Sequence, residues 1–204
     1  MWNLDAGELK RASGGGVGLR LFVAMPVPTA AASMLADYAD LLVDRVPTTR
    51  PVLPTDMHLT FAYLGEVSED LLPVVASLVD DAAQDIGGAT SCSTTGIGVK
   101  GRASAAVSID TDLLVLLAAA RDRLLNAAAP LAPHRDLRAW QPHVTIARGA
   151  RATDLPEPLS GVIGEPPAVT WIASELVLHA SLPGMSERQH RVLHVASCGE
   201  IHAS

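Results

Sequence analysis

An α+β domain with an antiparallel-rich sheet is what this sequence predicts, and three observations carry that expectation. Strand-like and helix-like stretches follow one another as strand, helix, strand, helix, strand, strand, helix and then strands. Several of these strands are joined by turns too short for the crossover that a parallel pair requires. The 204 residues, 49% of them apolar, are enough to bury a substantial core as one large domain or two small lobes.

Each element has its own justification. Residues 19–25 (Leu-Arg-Leu-Phe-Val-Ala-Met) are rich in strand-favouring side chains and stop at Pro26. Beyond Pro28, the residues Met34, Leu35, Tyr38, Leu41 and Leu42 recur at three- and four-residue steps, so they form one helical stripe that ends before Pro47. Residues 57–64 read as a strand closed by Gly65, and a second helix runs from about Ser68 to Ile86, ended by Gly87-Gly88. Two short strands, 90–99 and 104–109, flank the turn Lys100-Gly101-Arg102. Thr111 is placed to cap a third helix carrying Leu113, Leu114, Leu117, Leu124 and Leu125, which cannot pass Pro130. Residues 142–148, 168–180 and 189–197 are strand-like, and the Pro/Gly-rich stretch 155–167 is a loop. The first 18 residues end in a glycine run with little to pack, so they read as a flexible tail before a domain spanning 19–204.

Composition excludes several roles. Lys and Arg number 15 against 22 Asp and Glu, a net charge of −7, which argues against coating long nucleic acid by phosphate neutralisation. A nucleic-acid end or a small nucleotide remains compatible. The longest apolar run, Leu113 to Ala120, falls far short of the roughly 20 residues of a membrane span, and the N-terminus lacks a secretion signal. The expectation is a cytoplasmic protein, a monomer with no membrane association. Cys92 and Cys198 make neither a disulfide framework nor a metal-ligand spacing and read as ordinary reduced residues.

The chemistry lies in a repeat. His58-Leu59-Thr60-Phe61 and His143-Val144-Thr145-Ile146 share the form His-x-Thr-apolar, 85 residues apart. Side chains alternate along a strand, so each motif turns an imidazole and a hydroxyl to one face and two apolar side chains to the other. A pair of such strands meeting at one cleft satisfies both copies. Two imidazoles divide general acid and general base work near neutral pH, and two threonine hydroxyls donate to the oxygens of a phosphate between them. That set suits phosphodiester cleavage without metal or cofactor. A single His-x-Thr would be an ordinary strand; the repeat is what points to a site. The other histidines, His134, His179, His190, His194 and His202, are read as structural. His190 and His194 share a strand parity that would let them ligate a metal, but no Cys, Asp or Glu completes the set.

With Arg20-Leu21-Phe22-Val23-Ala24, His58 through Val67, Pro142 through Arg148 and Glu175-Leu176-Val177-Leu178 in this order, the chain resembles the RNA 2′,3′-cyclic phosphodiesterases of the two-histidine phosphoesterase superfamily, also called the 2′-5′ RNA ligase family. The resemblance runs from about residue 19 to 197. It implies a bilobal α+β fold, two similar lobes each with an antiparallel-rich sheet backed by helices, facing across a groove. It implies metal-independent hydrolysis of a 2′,3′-cyclic phosphate, on RNA 3′ ends or small nucleotides, to a 2′-phosphomonoester. By the family pattern His58 is the proton donor, His143 the proton acceptor, and Thr60, Thr145 and Arg148 hold the phosphate. The residues alone leave open which imidazole is acid and which is base.

The turn 96–102 and the strand 105–108 lack the aromatic residues that family members often carry there, which leaves Tyr63 and Phe22 as the candidates for base stacking. Arg135, Arg138, Arg148 and Arg151, opposed by Asp136, form a local positive patch near the second motif. Alternative readings are a phosphodiesterase acting on another cyclic nucleotide-like substrate, 2′-5′ RNA ligation, or a non-catalytic RNA-end-binding module. The intact pair of histidines counts against the last, because binding alone needs no acid and base.

Overall fold

The computed structural model describes residues 18–101, 103–149, 155–181 and 190–199. The tail expected over 1–18 lies outside them except for Gly18, which opens the first strand. In chain order the elements are β1 (Gly18–Pro26), α1 (Thr29–Arg45), β2 (Thr49–Pro51), a 3₁₀ turn (Pro54–Asp56), β3 (His58–Ser68), a second 3₁₀ turn (Glu69–Leu71), α2 (Leu72–Ile86), β4 (Thr90–Lys100), β5 (Ser104–Thr111), α3 (Leu114–Ala127), β6 (His143–Gly149), α4 (Ser160–Ile163), β7 (Thr170–Ala173), β8 (Glu175–Ser181) and β9 (His190–Ser197).

The fold is α+β, as expected, and every strand pairing among the described residues is antiparallel. The two lobes are halves of one sheet, ordered β7-β4-β5-β6-β3-β1-β8-β9 with β2 also on β6. Their seam is β3 against β6, which meet at the pair Leu59↔Val144. The helices change sides: α1 follows β1 yet packs on β2 and β6, and α3 follows β5 yet packs on α2 and reaches β3, while α2 covers β8 and β9. Each half of the sheet therefore holds a helix from the other half's sequence. β1 sits between β3 and β8, and Leu19, Leu21, Val23, Ala24 and Met25 are fully buried, which is why its sequence is almost uninterruptedly apolar.

Several local expectations are corrected. The inner face of α1 is Ala31, Ala32, Leu35, Tyr38, Ala39 and Leu42; Met34 and Leu41 of the expected stripe are exposed, because alanines let the helix approach the sheet closely. Gly65 does not close a strand but sits inside β3. Its φ of +77° accompanies a bulge in which Leu21 pairs Gly65 while Phe22 pairs Tyr63, and a Cβ there would lie 3.1 Å from the His134 carbonyl oxygen. Thr111 ends β5, and its hydroxyl bonds Thr90 and accepts the Leu113 N–H in place of capping α3. Residues 168–180 break at Ser174, where the chain passes from β7, paired with β4, to β8, paired with β1. The stretch 155–167 contains the one-turn helix α4, and β2 has no counterpart among the sequence expectations. Cys92 and Cys198 are buried and free, and desolvation pushes each thiol up to about 11. Among the described residues no helix is long and apolar enough to cross a membrane.

Candidate active site

The seam between β3 and β6 brings the two His-x-Thr motifs together. Continuing the antiparallel count from Leu59↔Val144 sets His58 across from Thr145 and Thr60 across from His143. Leu59, Phe61, Val144 and Ile146 are fully buried on the opposite face, so alternation leaves all four polar side chains on the other. They line one groove of about 570 Å³ together with Tyr63, Lys100, Arg121, Arg138, Trp140, Gln141 and Arg148.

Both imidazoles are held in the same way. His58 donates Nδ1–H to the carbonyl oxygen of Asp56, and His143 donates Nδ1–H to that of Gln141, each at 2.7 Å and each two residues upstream. A carbonyl can only accept, so each Nδ1 carries its hydrogen and each Nε2 is left for chemistry, as a base when neutral and as an acid when protonated.

Their surroundings differ. The His58 ring stacks on Phe22 at 4.9 Å between centroids, and Phe22 stacks in turn on His179 at 4.9 Å. The His190 ring stands edge-on to Phe22 at 4.8 Å and to His58 at 5.2 Å. Burial pushes the His58 imidazole down to about 4; His190 and Arg148 act in the same direction, and the Asp56 carbonyl and carboxylate oppose them. Burial likewise takes His179 down to about 3, helped by His58 and His190. The His143 bond to Gln141 is exposed, whereas the His58 bond to Asp56 is partly buried.

A strap formed by residues 128–142 builds the far wall. Asp136 donates its N–H to the Tyr63 carbonyl at 3.0 Å, Trp140 Nε1 donates to the Thr60 carbonyl at 2.9 Å, and the buried Arg121 donates to the Asp136 carbonyl at 2.9 Å. Lys100 Nζ donates to Gln141 Oε1 at 2.9 Å. Arg138 forks onto the Asp136 carboxylate, at 2.6 Å for the shorter arm, which holds that carboxyl below its usual range. Arg148 stays cationic at the rim, although desolvation lowers it from the ordinary guanidinium range against the pull of Asp56.

The sequence-predicted residues His58, Thr60, Tyr63, His143, Thr145 and Arg148 all line this groove. Phe22 is 5% exposed and serves as the bed of His58, which removes it as a base platform. In the arginine patch, Arg138 and Arg148 reach the groove, Arg135 bonds the Ala132 carbonyl, and Arg151 lies outside the described residues. His190 and His194 do not share a face: β9 holds an extra residue between the pairs Leu178↔His194 and His179↔Val192, which flips the alternation. His194 Nε2 meets Asp80 on α2 at 2.7 Å, whereas His190 joins the Phe22 cluster. Among the described residues no group of three or more His, Cys, Asp or Glu is placed to hold a metal ion. Sequence reading missed Trp140, Arg121 and the bed of His58. Arg121 had a signal, a lone cation on the otherwise apolar inner face of its helix; His179 and His190 had none, since only the pairing of β1, β8 and β9 joins them to His58.

Solved structures share this fold. TT0787 of Thermus thermophilus matches with a TM-score of 0.66 at 23% identity, over 90% of this chain and 100% of that one. E. coli LigT complexed with 3′-AMP matches with a TM-score of 0.68 at 21% identity, over 88% of this chain and 98% of LigT. The MHV ns2 PDE domain matches with a TM-score of 0.51 at 11% identity, over 79% of this chain and 99% of that domain. Likeness at these identities is likeness of fold. No curated protein matches the sequence. The family model of the 2′-5′ RNA ligase superfamily, however, matches residues 31–183, a span that contains both His-x-Thr motifs and the seam that joins them. The chain belongs to the 2′-5′ RNA ligase superfamily.

Proposed function

We propose that this protein hydrolyses 2′,3′-cyclic phosphates, on RNA 3′ ends or small nucleotides, to 2′-phosphomonoesters without a metal. The observation that supports it most is the duplicated bond from Nδ1–H to the carbonyl two residues upstream, which aims two Nε2 atoms from neighbouring strands at one groove. In this reading His143 takes a proton from water as its oxygen bonds phosphorus. His58 gives its Nε2 proton to the 3′ oxygen as that P–O bond breaks. Thr60, Thr145 and Arg148 hold the non-bridging oxygens, and Tyr63 offers its ring to a base of the RNA. Burial keeps His58 neutral until an anion binds, and the bound phosphate's negative charge then lets it take up a proton from solvent. Both imidazoles return to their starting states by exchange with solvent.

The test is a short RNA ending in a 2′,3′-cyclic phosphate, incubated with the protein in excess chelator. The end should become sensitive to a phosphomonoesterase, and His58→Ala and His143→Ala should each slow this by roughly 10²–10⁴-fold with the fold intact. Activity that appears only on adding a divalent ion, or either variant matching the parent, contradicts the proposal.

A further inference from the structure

We propose that Arg121 is a positioning residue for His143, which it orients through the strap 128–142; this rests on the base role given to His143 above. Arg121 is 4% exposed, on the inner face of α3 beside Leu117, Ala120, Leu124 and Leu125. Its Nη2 donates to the Asp136 carbonyl at 2.9 Å, its Nη1 reaches a carboxylate oxygen of Asp122 at 3.3 Å, and its Nε is buried without a partner. The Asp122 carboxylate is 69% exposed, so solvent weakens that ion pair. An apolar side chain would fill this place without desolvating a charge or orphaning a donor, so packing does not account for an arginine here. What the arginine adds is its hold on the strap.

Asp136 gathers the strap's ties. Its N–H donates to the Tyr63 carbonyl of β3, its carbonyl takes the Arg121 bond, and its carboxylate holds the Arg138 fork. A few residues on, the strap joins both motifs through neighbours in sequence: Trp140 donates to the Thr60 carbonyl, and the Gln141 carbonyl accepts Nδ1–H of His143. The two imidazoles therefore differ in what holds them. The acceptor of His58 belongs to the 3₁₀ turn Pro54–Asp56, and the acceptor of His143 to the strap. On the β5 side, backbone bonding reaches back to Pro142, whose carbonyl accepts the Ile109 N–H; Gln141 lies just beyond it, with its side chain on the exposed Lys100. The direction of the Gln141 carbonyl thus follows the strap, and the strap follows Arg121.

That direction matters to the reaction. With Nδ1–H on the Gln141 carbonyl, Nε2 is the nitrogen that accepts a proton from water. If the carbonyl turns away, the hydrogen sits on either nitrogen, and a ring carrying it on Nε2 cannot act as the base.

Arg121→Met removes the charge and both bonds but keeps an unbranched, helix-favouring side chain. A merely structural role would lower the denaturation midpoint and leave the folded enzyme as active as the parent. The positioning role predicts a midpoint near the parent's, kcat on adenosine 2′,3′-cyclic phosphate lower by roughly 10- to 100-fold, and KM within about twofold. Nitrogen-15 NMR of the neutral histidine rings reads the tautomer without turnover. His143 should be Nδ1–H in the parent and mixed in Arg121→Met, while His58 stays Nδ1–H in both. Arg121→Lys, which keeps the charge and one donor but not the planar fork, should show the same changes in smaller degree, and it carries the test if Arg121→Met does not fold. An unmixed His143 tautomer in a folded variant overturns the proposal whatever the rate, and so does a parental kcat beside a mixed tautomer. A mixed tautomer in the variant of a protein that hydrolyses no cyclic phosphate would sustain the hold of Arg121 on His143 and reject the proposed activity.

Discussion

His58 and His143 carry the same backbone bond in different surroundings. His58 rests on Phe22 with His179 and His190 close by, and desolvation brings it to about 4, so at neutral pH the protein alone holds it uncharged. A bound anion reverses the balance, because a nearby negative charge favours the imidazolium. With inorganic phosphate in the groove, the His58 pKa should rise by roughly one to three pH units, read by NMR titration of its ring. A titration curve that phosphate leaves in place contradicts the assignment of His58 as acid. The same burial has a cost in acid. The unfolded chain protonates these rings near 6.5, the folded one only near 4 for His58 and near 3 for His179, so stability is full above about 6.5 and is lost as pH falls toward 4. Urea unfolding at pH 7 and pH 4.5 should show that loss, of order 1–3 kcal/mol per imidazole, and His179→Phe should remove its share. A slope identical in His179→Phe and the parent would show that His179 does not titrate this way. The two motifs were legible because alternation along a strand is a local rule. The bed of His58 was not, since Phe22, His179 and His190 come from three strands and their meeting depends on register.

Elements were legible where local propensity decided them and illegible where the partner did. β1 and the core of α2 follow from apolar pattern, Pro26 and Gly87. Gly65 misled because a glycine after an apolar strand reads as its end, whereas here β3 continues through it to Ser68 by way of the bulge. Its positive φ and the His134 backbone beside it leave no room for a side chain, so Gly65→Ala should destabilise the fold by about 1–3 kcal/mol, measured as a lower denaturation midpoint. A midpoint equal to the parent's would show that the strap 128–142 yields freely. The break at Ser174 was hidden for a similar reason: both sides are strand-like, and only the choice of partner, β4 before it and β1 after it, separates β7 from β8.

Across the whole molecule, one sheet with exchanged helices makes the groove a seam between halves. α1 and α3 each pack on the half their own strand does not belong to, which ties the halves together where the two motifs meet. The α+β class and the pairing of the motifs were legible from the order of elements and from the repeat; the continuity of the sheet was not, because β3 and β6 lie far apart in sequence and touch at the pair Leu59↔Val144. Net charge misled only mildly: an acidic total of −7 coexists with a groove lined by Lys100, Arg121, Arg138 and Arg148, so sign is a property of the site and not of the sum. In the proposed reaction, water is activated on one side of phosphorus and the leaving oxygen is protonated on the other, so one P–O bond breaks. Phosphorus NMR of a dinucleotide ending in a 2′,3′-cyclic phosphate, treated with the protein in chelator, reads that outcome directly. The predicted result is a single 2′-phosphomonoester beside a free 3′-hydroxyl; a 3′-phosphate, a mixture of the two isomers, or a persistent cyclic ester would contradict it.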